Sequence, residues 1–494
     1  MVNINFDDYK GMKALIMGLG LHGGGLESAR YLAARGAEVT VTDLRDEKAL
    51  APSLEQLKGY PIRYVLTRHN IEDFRKSDIV VKNPGVRPDS PYLKAAKRIE
   101  TDISLFLAAC PARLLAVTGS KGKSSVSSAI HYVLSESRAS AQGTMRKGAS
   151  FCGKVFLGGN ITISPLSFLN ELKEGDDVVL ELSSWQLGDL RGCSLLKPRS
   201  AVITPIMRDH LDRYASMEAY VDDKRLIYRN QDGSDTTIAQ NDDWGRGFLE
   251  ESRGRPLLYS KMPLNEGVSG GWIPDPKGPG LARFYHNHNF DHKNIDFPDC
   301  DLEAGRIVEA VPARLLIPGF HQKQNLLTAA LALLDLGLAQ DFVREGLGRF
   351  PGIEHRLEFF HGSCGVMFYN DSAATIPEAA VAAIMAFEKP PILVAGGTDK
   401  NLDFEPLARA AENAKALVLI SGTGSEKLKD LLDGGGVKYR GPFDSLEAAI
   451  NAALDIAVPG DAVILSPGCT SFGMFLNEFD RGNRWKEGVR KIAP

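Results

Sequence analysis

Short runs of consecutive apolar residues recur along the chain, each followed by a glycine-bearing turn and then by apolar residues at helical spacing. The first run, Lys13 to Met17, opens into GLGLHGGG, Gly18 to Gly25. A helix is predicted from there through about Arg35. It is followed by the strand EVTVTD ending at Asp43, and by DIVV leading to Lys82 and the turn Asn83-Pro84-Gly85. Strand, loop, helix and strand in that order predict a parallel sheet with helices on its faces.

The pattern restarts near residue 111. Pro111 precedes the strand LLAVT, the loop GSKGKSS and a helix to about Ser137, and further strands are expected at Asp177–Leu182 and Ser200–Thr204. From about Leu264 to Arg306 the sequence is rich in Gly, Pro, Asn and His without a clean period, so an irregular surface excursion is expected. Regular structure is expected again in the apolar helix Asn325–Gly337. A third block from Pro351 alternates the strands GVMFYN, PILVAGG, ALVLI and AVILS with helices. The expected bounds are 1–111, 112–350 with its excursion at 264–306, and 351–494, three successive α/β domains.

Length agrees with that division: 494 residues exceed one hydrophobic core and suit about three domains. With 44% apolar and 24% charged residues the composition is that of a soluble globular protein, and a net charge of -4 argues against nucleic acid or an anionic membrane as partner. Cys110, Cys152, Cys193, Cys300, Cys364 and Cys469 form no CxxC pair and read as reduced cytosolic thiols. No signal peptide and no spanning run of about 18 apolar residues is read, so a cytoplasmic protein is expected.

The strongest chemical signal is Thr118-Gly119-Ser120-Lys121-Gly122-Lys123-Ser124-Ser125, between a strand and a helix. Such a loop turns backbone N–H groups into a concavity beside a helix N-terminus, which suits phosphate. Lys123 would reach the outer phosphates and Ser124 would face a metal ion. Val117 stands where the common phosphate loop has its first glycine, and a plain turn with surface lysines is the alternative. GLGLHGGG with Asp43 and Arg45 fits a nucleoside diphosphate, and NAD and a UDP-sugar satisfy it equally. Glu181 ends an apolar strand, where a carboxylate either holds Mg²⁺ or is simply solvated. His210, in RDHLDRY, taken alone suits a structural hydrogen bond better than a ligand. Lys224, on an amphipathic helix, taken alone reads as solvated.

Taken together, the motifs carry more. GSKGKSS, GGN (Gly158 to Asn160), ELSSWQL, DHLDRY, the lysine before RLIY, GFHQKQN, EHR, NDSAAT, GGTDK and SPGCTSFGMF resemble, in order, the motifs of the bacterial muramyl-peptide ligases. The resemblance implies a Rossmann-like UDP-binding domain, a central P-loop-type ATPase domain and a C-terminal Rossmann-like domain. It implies an ATP- and Mg²⁺-dependent enzyme that joins D-glutamate to UDP-N-acetylmuramoyl-L-alanine through an acyl phosphate in cytoplasmic cell-wall precursor synthesis. By the same resemblance Lys123 supports the phosphates, Ser124 and Glu181 hold one Mg²⁺, and His210 holds a second with a carbamylated Lys224. Asn325, Arg356 and Asp371 match positions that hold ATP. Leu21, Asp43, Arg45, Asn83 and Gly85 match the uridine diphosphate site, and Asn160, Ser183 and Gln186 the muramyl side. Thr375, Lys400 and Ser471 match the glutamate pocket.

The chain departs from that pattern at several points. Ala373 and Ile376 stand where the family has lysine and asparagine, and Ser120-Lys121, His22 and Gln322 also differ. Glu478 and Phe479 are exchanged relative to the family's aromatic-then-acidic order. Alternatives are a sister ligase with another amino acid such as L-glutamate, a folyl-polyglutamate synthase, a nicotinamide-dependent oxidoreductase, and a silent nucleotide binder. The folate enzyme lacks a uridine-type first domain, and the other two leave the ATP loop, Glu181 and Lys224 unused or intact without purpose.

Overall fold

The computed structural model describes residues 9–21, 23–140, 153–161, 163–210, 213–285 and 304–494. His22, Cys152, Cys300 and residues 286–303 of the expected excursion lie outside these.

The first sheet is built from β1 (Lys13–Met17), β2 (Glu38–Asp43), β3 (Ile62–Leu66), β4 (Ile79–Lys82) and β5 (Ile99–Glu100). All pair in parallel in the order β3-β2-β1-β4-β5. The strands β1 and β4 are near-continuous apolar runs because helices cover both faces: Leu15, Ile16, Ile79 and Val80 have no exposed surface.

The second sheet carries β6 (Arg113–Thr118), β7 (Val155–Gly159), β8 (Asp177–Glu181), β9 (Ser200–Ile203), β10 (Thr236–Gln240), β11 (Arg255–Ser260), β12 (Gly270–Trp272), β13 (Gly280–Arg283) and β14 (Ile307–Val311). Its order is β14-β13-β12-β11-β10-β9-β6-β8-β7, so β6 lies between β8 and β9, where the direction of winding reverses. Ligands bind outside the carboxyl ends of strands at such a reversal. The stretch expected to be irregular corrects the sequence reading, because it contributes β12 and β13 to this sheet, with β13 antiparallel to β12 and to β14. These strands are three and four residues long, too short for a visible period of two. Glycine is required in them by close approach: a Cβ on Gly270 would lie 1.9 Å from the Leu258 carbonyl oxygen.

The first two sheets belong to one compact unit, 1–311 with 325–346, and share one apolar core that runs from Ile16 and Leu26 through Phe106 to Phe168 and Leu180. The second unit, 312–324 with 347–494, holds the third sheet. Here β15 (Glu358–Ser363), β16 (Val366–Asn370), β17 (Ile392–Ala395), β18 (Ala416–Ile420), β19 (Arg440–Phe443) and β20 (Ala462–Leu465) order as β15-β16-β20-β17-β18-β19. Only β15 runs antiparallel to its neighbour.

The helix read at Asn325–Gly337 runs from Phe320 to Asp335. Leu326, Leu327, Leu331 and Leu333 are fully buried, which explains an apolar pattern that runs all around it. Among the described residues no helix is long and apolar enough to cross a membrane. Leu331→Ala removes most of a side chain from a filled site and should cost about 2–5 kcal/mol. A chemical-denaturation midpoint unchanged from wild type would contradict this packing.

Candidate active site

The phosphate-type loop leaves β6 at Thr118. Gly119 adopts φ 139° and Gly122 φ 88°, conformations open to glycine and strained for other residues. Crowding reinforces the requirement, since a Cβ on Gly119 would sit 1.9 Å from Thr204 Oγ1 and one on Gly122 would sit 2.4 Å from Asn325 Oδ1. Asn325 therefore lies against the loop. Lys123, the first residue of the helix Lys123–Ser140, folds back to donate to the Gly119 and Ser120 carbonyls at 3.0 Å each. Ser120 Oγ is tied to Tyr220 Oη (2.9 Å) and to the Met207 N–H (2.9 Å).

Lys224 corrects its isolated reading as a solvated side chain. It ends the helix Met217–Lys224 but is 1% exposed, and its Nζ donates to the Gly119 carbonyl at 2.8 Å. Burial, with the Lys123 charge beside it, pushes its amine down to about 7, against the pull of Asp209 and Asp223. Burial also lowers Lys123, with Glu181 and Asp209 opposing and Lys121 adding to the lowering. Lys121 is paired with Asp209 at 3.8 Å. Two amines, those of Lys123 and Lys224, thus meet at the Gly119 carbonyl.

Glu181 is likewise buried, not a solvated strand end. It pairs across β8 with Val117 of β6 and Gly159 of β7. Asn160 donates through Nδ2 to Glu181 Oε1 at 3.1 Å, and Glu181 Oε2 is buried without a hydrogen-bond partner among the described residues. A buried carboxylate oxygen without a donor, beside a phosphate loop, fits a bound cation. Among the described residues no three His, Cys, Asp or Glu side chains converge as a ready-made metal cage. Such a site therefore needs ligands from outside that set, such as Ser124, a modified Lys224 or the substrate.

Ser183 and Gln186 engage each other. Ser183 caps the helix Ser184–Asp189, receiving the Gln186 N–H at 3.2 Å, while Gln186 Oε1 accepts from the Ser183 N–H and hydroxyl at 3.0 Å. His210 stands at φ 54°, its ring 5.1 Å from that of Trp185, with the Arg213 guanidinium 4.0 Å over the same indole. Trp185, Arg213, Asp209 and Tyr220 were not singled out in the sequence. The charges of Asp209 and Arg213 flanking His210 in RDHLDRY were the available signal.

At the carboxyl ends of β1, β2 and β4 a second polar set forms. Asp43 Oδ2 accepts from the Leu19 N–H at 2.9 Å and Oδ1 from the Arg45 N–H at 2.9 Å and Nε at 3.2 Å. Burial works to raise its carboxyl, but these donors outweigh it and hold it below the usual range. Asn83 Oδ1 accepts from Gly85 at 3.1 Å, and its Cβ would be 3.0 Å from a Cβ on Gly18, so the two loops touch. Leu21 stands 45% exposed beside them. All five expected uridine-side residues are brought to one sheet edge.

In the second unit Asp371 closes β16. Its Oδ2 accepts from Ser466 Oγ at 2.6 Å and Oδ1 from the Leu357 N–H at 3.1 Å, next to Arg356. Burial pushes it up to about 7, against Ser466, Leu357 and Arg356. His355 and Leu357 flank Arg356 at φ 64° and 45°, strained for non-glycine residues. Thr398 and Thr470 bridge, which sets Lys400 and Ser471 on neighbouring loops. The Gly468 N–H donates to the Ala374 carbonyl at 2.9 Å and brings Thr375 to the same edge. Beneath them the buried Arg481 donates to Ser372 Oγ (3.0 Å), Ser372 O (2.8 Å) and Cys469 O (3.1 Å), pinning both loops. Arg481 lies in LNEFDRG, and only its burial marks it.

Known proteins place this arrangement. Residues 12–104 match the Mur ligase MurD-like N-terminal domain, 117–333 the Mur ligase middle domain and 355–469 the Mur ligase glutamate ligase domain, and the chain belongs to the Mur ligase family. It is similar to the UDP-N-acetylmuramoylalanine–D-glutamate ligases of Roseiflexus sp. (40% identical, 98% of this chain and 99% of that one) and Treponema pallidum (38%, 98% of each). The ligase of the same name from Borreliella burgdorferi is 38% identical over 99% of both chains. Among solved structures, the fold is similar to UDP-N-acetylmuramate-alanine ligase MurC of Thermotoga maritima (TM-score 0.53, 19% identity, covering 97% of this chain and 100% of that one).

Two outcomes follow from this geometry. Lys123→Ala should abolish turnover with the fold intact by circular dichroism, and a near-normal rate would overturn the phosphate-loop assignment. Asp371 is raised in the folded state, so the folded protein holds an extra proton between about pH 4 and 7 and its contribution to stability declines as pH rises through that window. Asp371→Asn should remove that part of the pH dependence, and an unchanged stability–pH profile would contradict the burial argument.

Proposed function

We propose that the chain acts as an ATP-dependent ligase that joins D-glutamate to UDP-N-acetylmuramoyl-L-alanine in peptidoglycan precursor synthesis in the cytoplasm. The observation that carries the chemistry is the convergence of Lys123, Lys224 and the unpartnered Glu181 oxygen on one loop at the winding reversal of the second sheet. The names of the relatives, which align from end to end, supply the substrates.

A carboxylate does not acylate an amine until one oxygen is made a leaving group. Here the alanyl carboxylate attacks the γ-phosphorus and ADP departs. The amine nitrogen of glutamate then attacks the acyl carbon, phosphate leaves and the amine sheds a proton. Bringing anionic oxygens together requires fixed cations in a site with little water. Lys123 and Lys121 supply charge at the phosphates, with the Gly119–Ser125 backbone as cradle, while Asn325, Arg356 and Asp371 hold the rest of ATP. Mg²⁺, held by Ser124 and Glu181 and at a second position by His210 and a carbamylated Lys224, would neutralise phosphate charge. The low-lying amine of Lys224 supports that modification, because only a neutral amine takes up CO₂. Leu21, Asp43, Arg45, Asn83 and Gly85 bind the uridine diphosphate, and Asn160, Ser183 and Gln186 the muramyl portion. Thr375, Lys400 and Ser471 receive the two carboxylates of glutamate. Residues 1–111, 112–350 and 351–494 are the corresponding domains.

Lys224→Ala should be inactive and partly rescued by added short carboxylic acids, which replace the carbamate. Retained activity without rescue would remove that role. The reaction itself is tested by phosphate release from ATP with UDP-N-acetylmuramoyl-L-alanine and D-glutamate, L-glutamate or neither. Release that requires D-glutamate is expected. Release with L-glutamate alone would move the chain to another specificity, and absence of release would overturn the reading.

A further inference from the structure

One buried ion pair takes no part in the chemistry above. Lys82 closes β4 immediately before Asn83-Pro84-Gly85, and its ammonium donates to Asp189 Oδ2, 107 residues away at the end of the helix Ser184–Asp189. The two side chains are only 2% and 9% exposed. Desolvating two charges makes such a pair a weak source of stability, and its better-attested use is to set registry. The surrounding seam between the first and second sheets is polar at this point. Asp102 Oδ2 accepts from Ser164 Oγ at 2.8 Å, and Arg213 acts on both Lys82 and Asp189. Elsewhere the seam is apolar, with the rings of Phe106 and Phe168 6.0 Å apart.

The pair connects two parts of the site. On one side lies the Asn83–Gly85 turn. On the other, the helix bearing Gln186 rests directly on the helix that ends in Lys224: a Cβ on Gly188 would lie 2.5 Å from Asp223 Oδ2. One acceptor molecule has to reach from the turn to Lys224 and Glu181, so the distance between these elements decides where its carboxylate falls. A misplacement of about 1 Å costs on the order of a hundredfold in rate.

We propose that Lys82 and Asp189 are positioning residues that fix the span between the nucleotide subsite and the reacting carboxylate of the same acceptor molecule. The inference rests on the acceptor named under the proposed function. Its test is steady-state kinetics with UDP-N-acetylmuramoyl-L-alanine on the wild type, Lys82→Met, Asp189→Asn and the exchanged double variant K82D/D189K. Turnover by the wild type confirms the acceptor, and its absence would overturn that reading and this inference together. Given turnover, each single variant should raise KM for the acceptor roughly tenfold and lower kcat, with KM for ATP within about twofold of wild type, and the exchange should recover most of the loss. An unchanged acceptor KM in the single variants would overturn the proposal. So would an exchanged variant as impaired as Lys82→Met, because Lys82 would then act on the substrate directly. Should Lys82→Met fail to fold, Asp189→Asn, which removes only a charge, reads the same quantity against Lys82→Arg, expected near wild type.

Discussion

The hydrogen bond from Lys224 Nζ to the Gly119 carbonyl organises the central site, because it buries an amine where the glycine-bearing loop after β6 begins. An ammonium in that position is costly when unpaired, and the cost appears as an amine that gives up its proton near neutrality. Lys123 sits beside it on the same carbonyl, and Glu181 ends β8 with an oxygen that has no hydrogen-bond partner among the described residues. Burial thus disfavours the charged form of both amines and leaves one carboxylate oxygen of Glu181 without a donor among the described residues.

Each sheet, taken by itself, repeats one solution, with polar side chains at or just past the carboxyl ends of its strands: Asp43 and Asn83 in the first, Ser120 and Glu181 in the second, Asp371 in the third. Glycines at crowded turns keep the loops close, and buried side chains such as Arg481 and the Lys82–Asp189 pair fix one loop against another.

The α/β class and ten of the twenty described strands (β1, β2, β4, β6, β8, β9, β16, β17, β18 and β20) were legible, because strands buried on both faces read as apolar runs. Among the others, β12 and β13 are three and four residues long, too short to show a period. The phosphate-type loop was legible as a local pattern, whereas Lys224 in isolation read as solvated and Glu181 suited a metal ligand and a solvated strand end equally. Their burial is decided by residues distant in sequence, which no local spacing reports. Asp209, Trp185 and Lys82 were missed for the same reason: each acts through a partner distant in sequence or through an aromatic stack that leaves no pattern. The motif order across the chain, not any one motif, carried the resemblance to the family.

The central claim is that the acceptor carboxylate is phosphorylated before it meets the amine. Acceptor labelled with ¹⁸O in its alanyl carboxylate, turned over with ATP and D-glutamate, tests it directly. The account predicts one ¹⁸O in each phosphate released, because the oxygen that attacked phosphorus leaves with it. Phosphate free of label would contradict the acyl-phosphate route and, with it, the roles assigned to Lys123, Glu181 and Lys224.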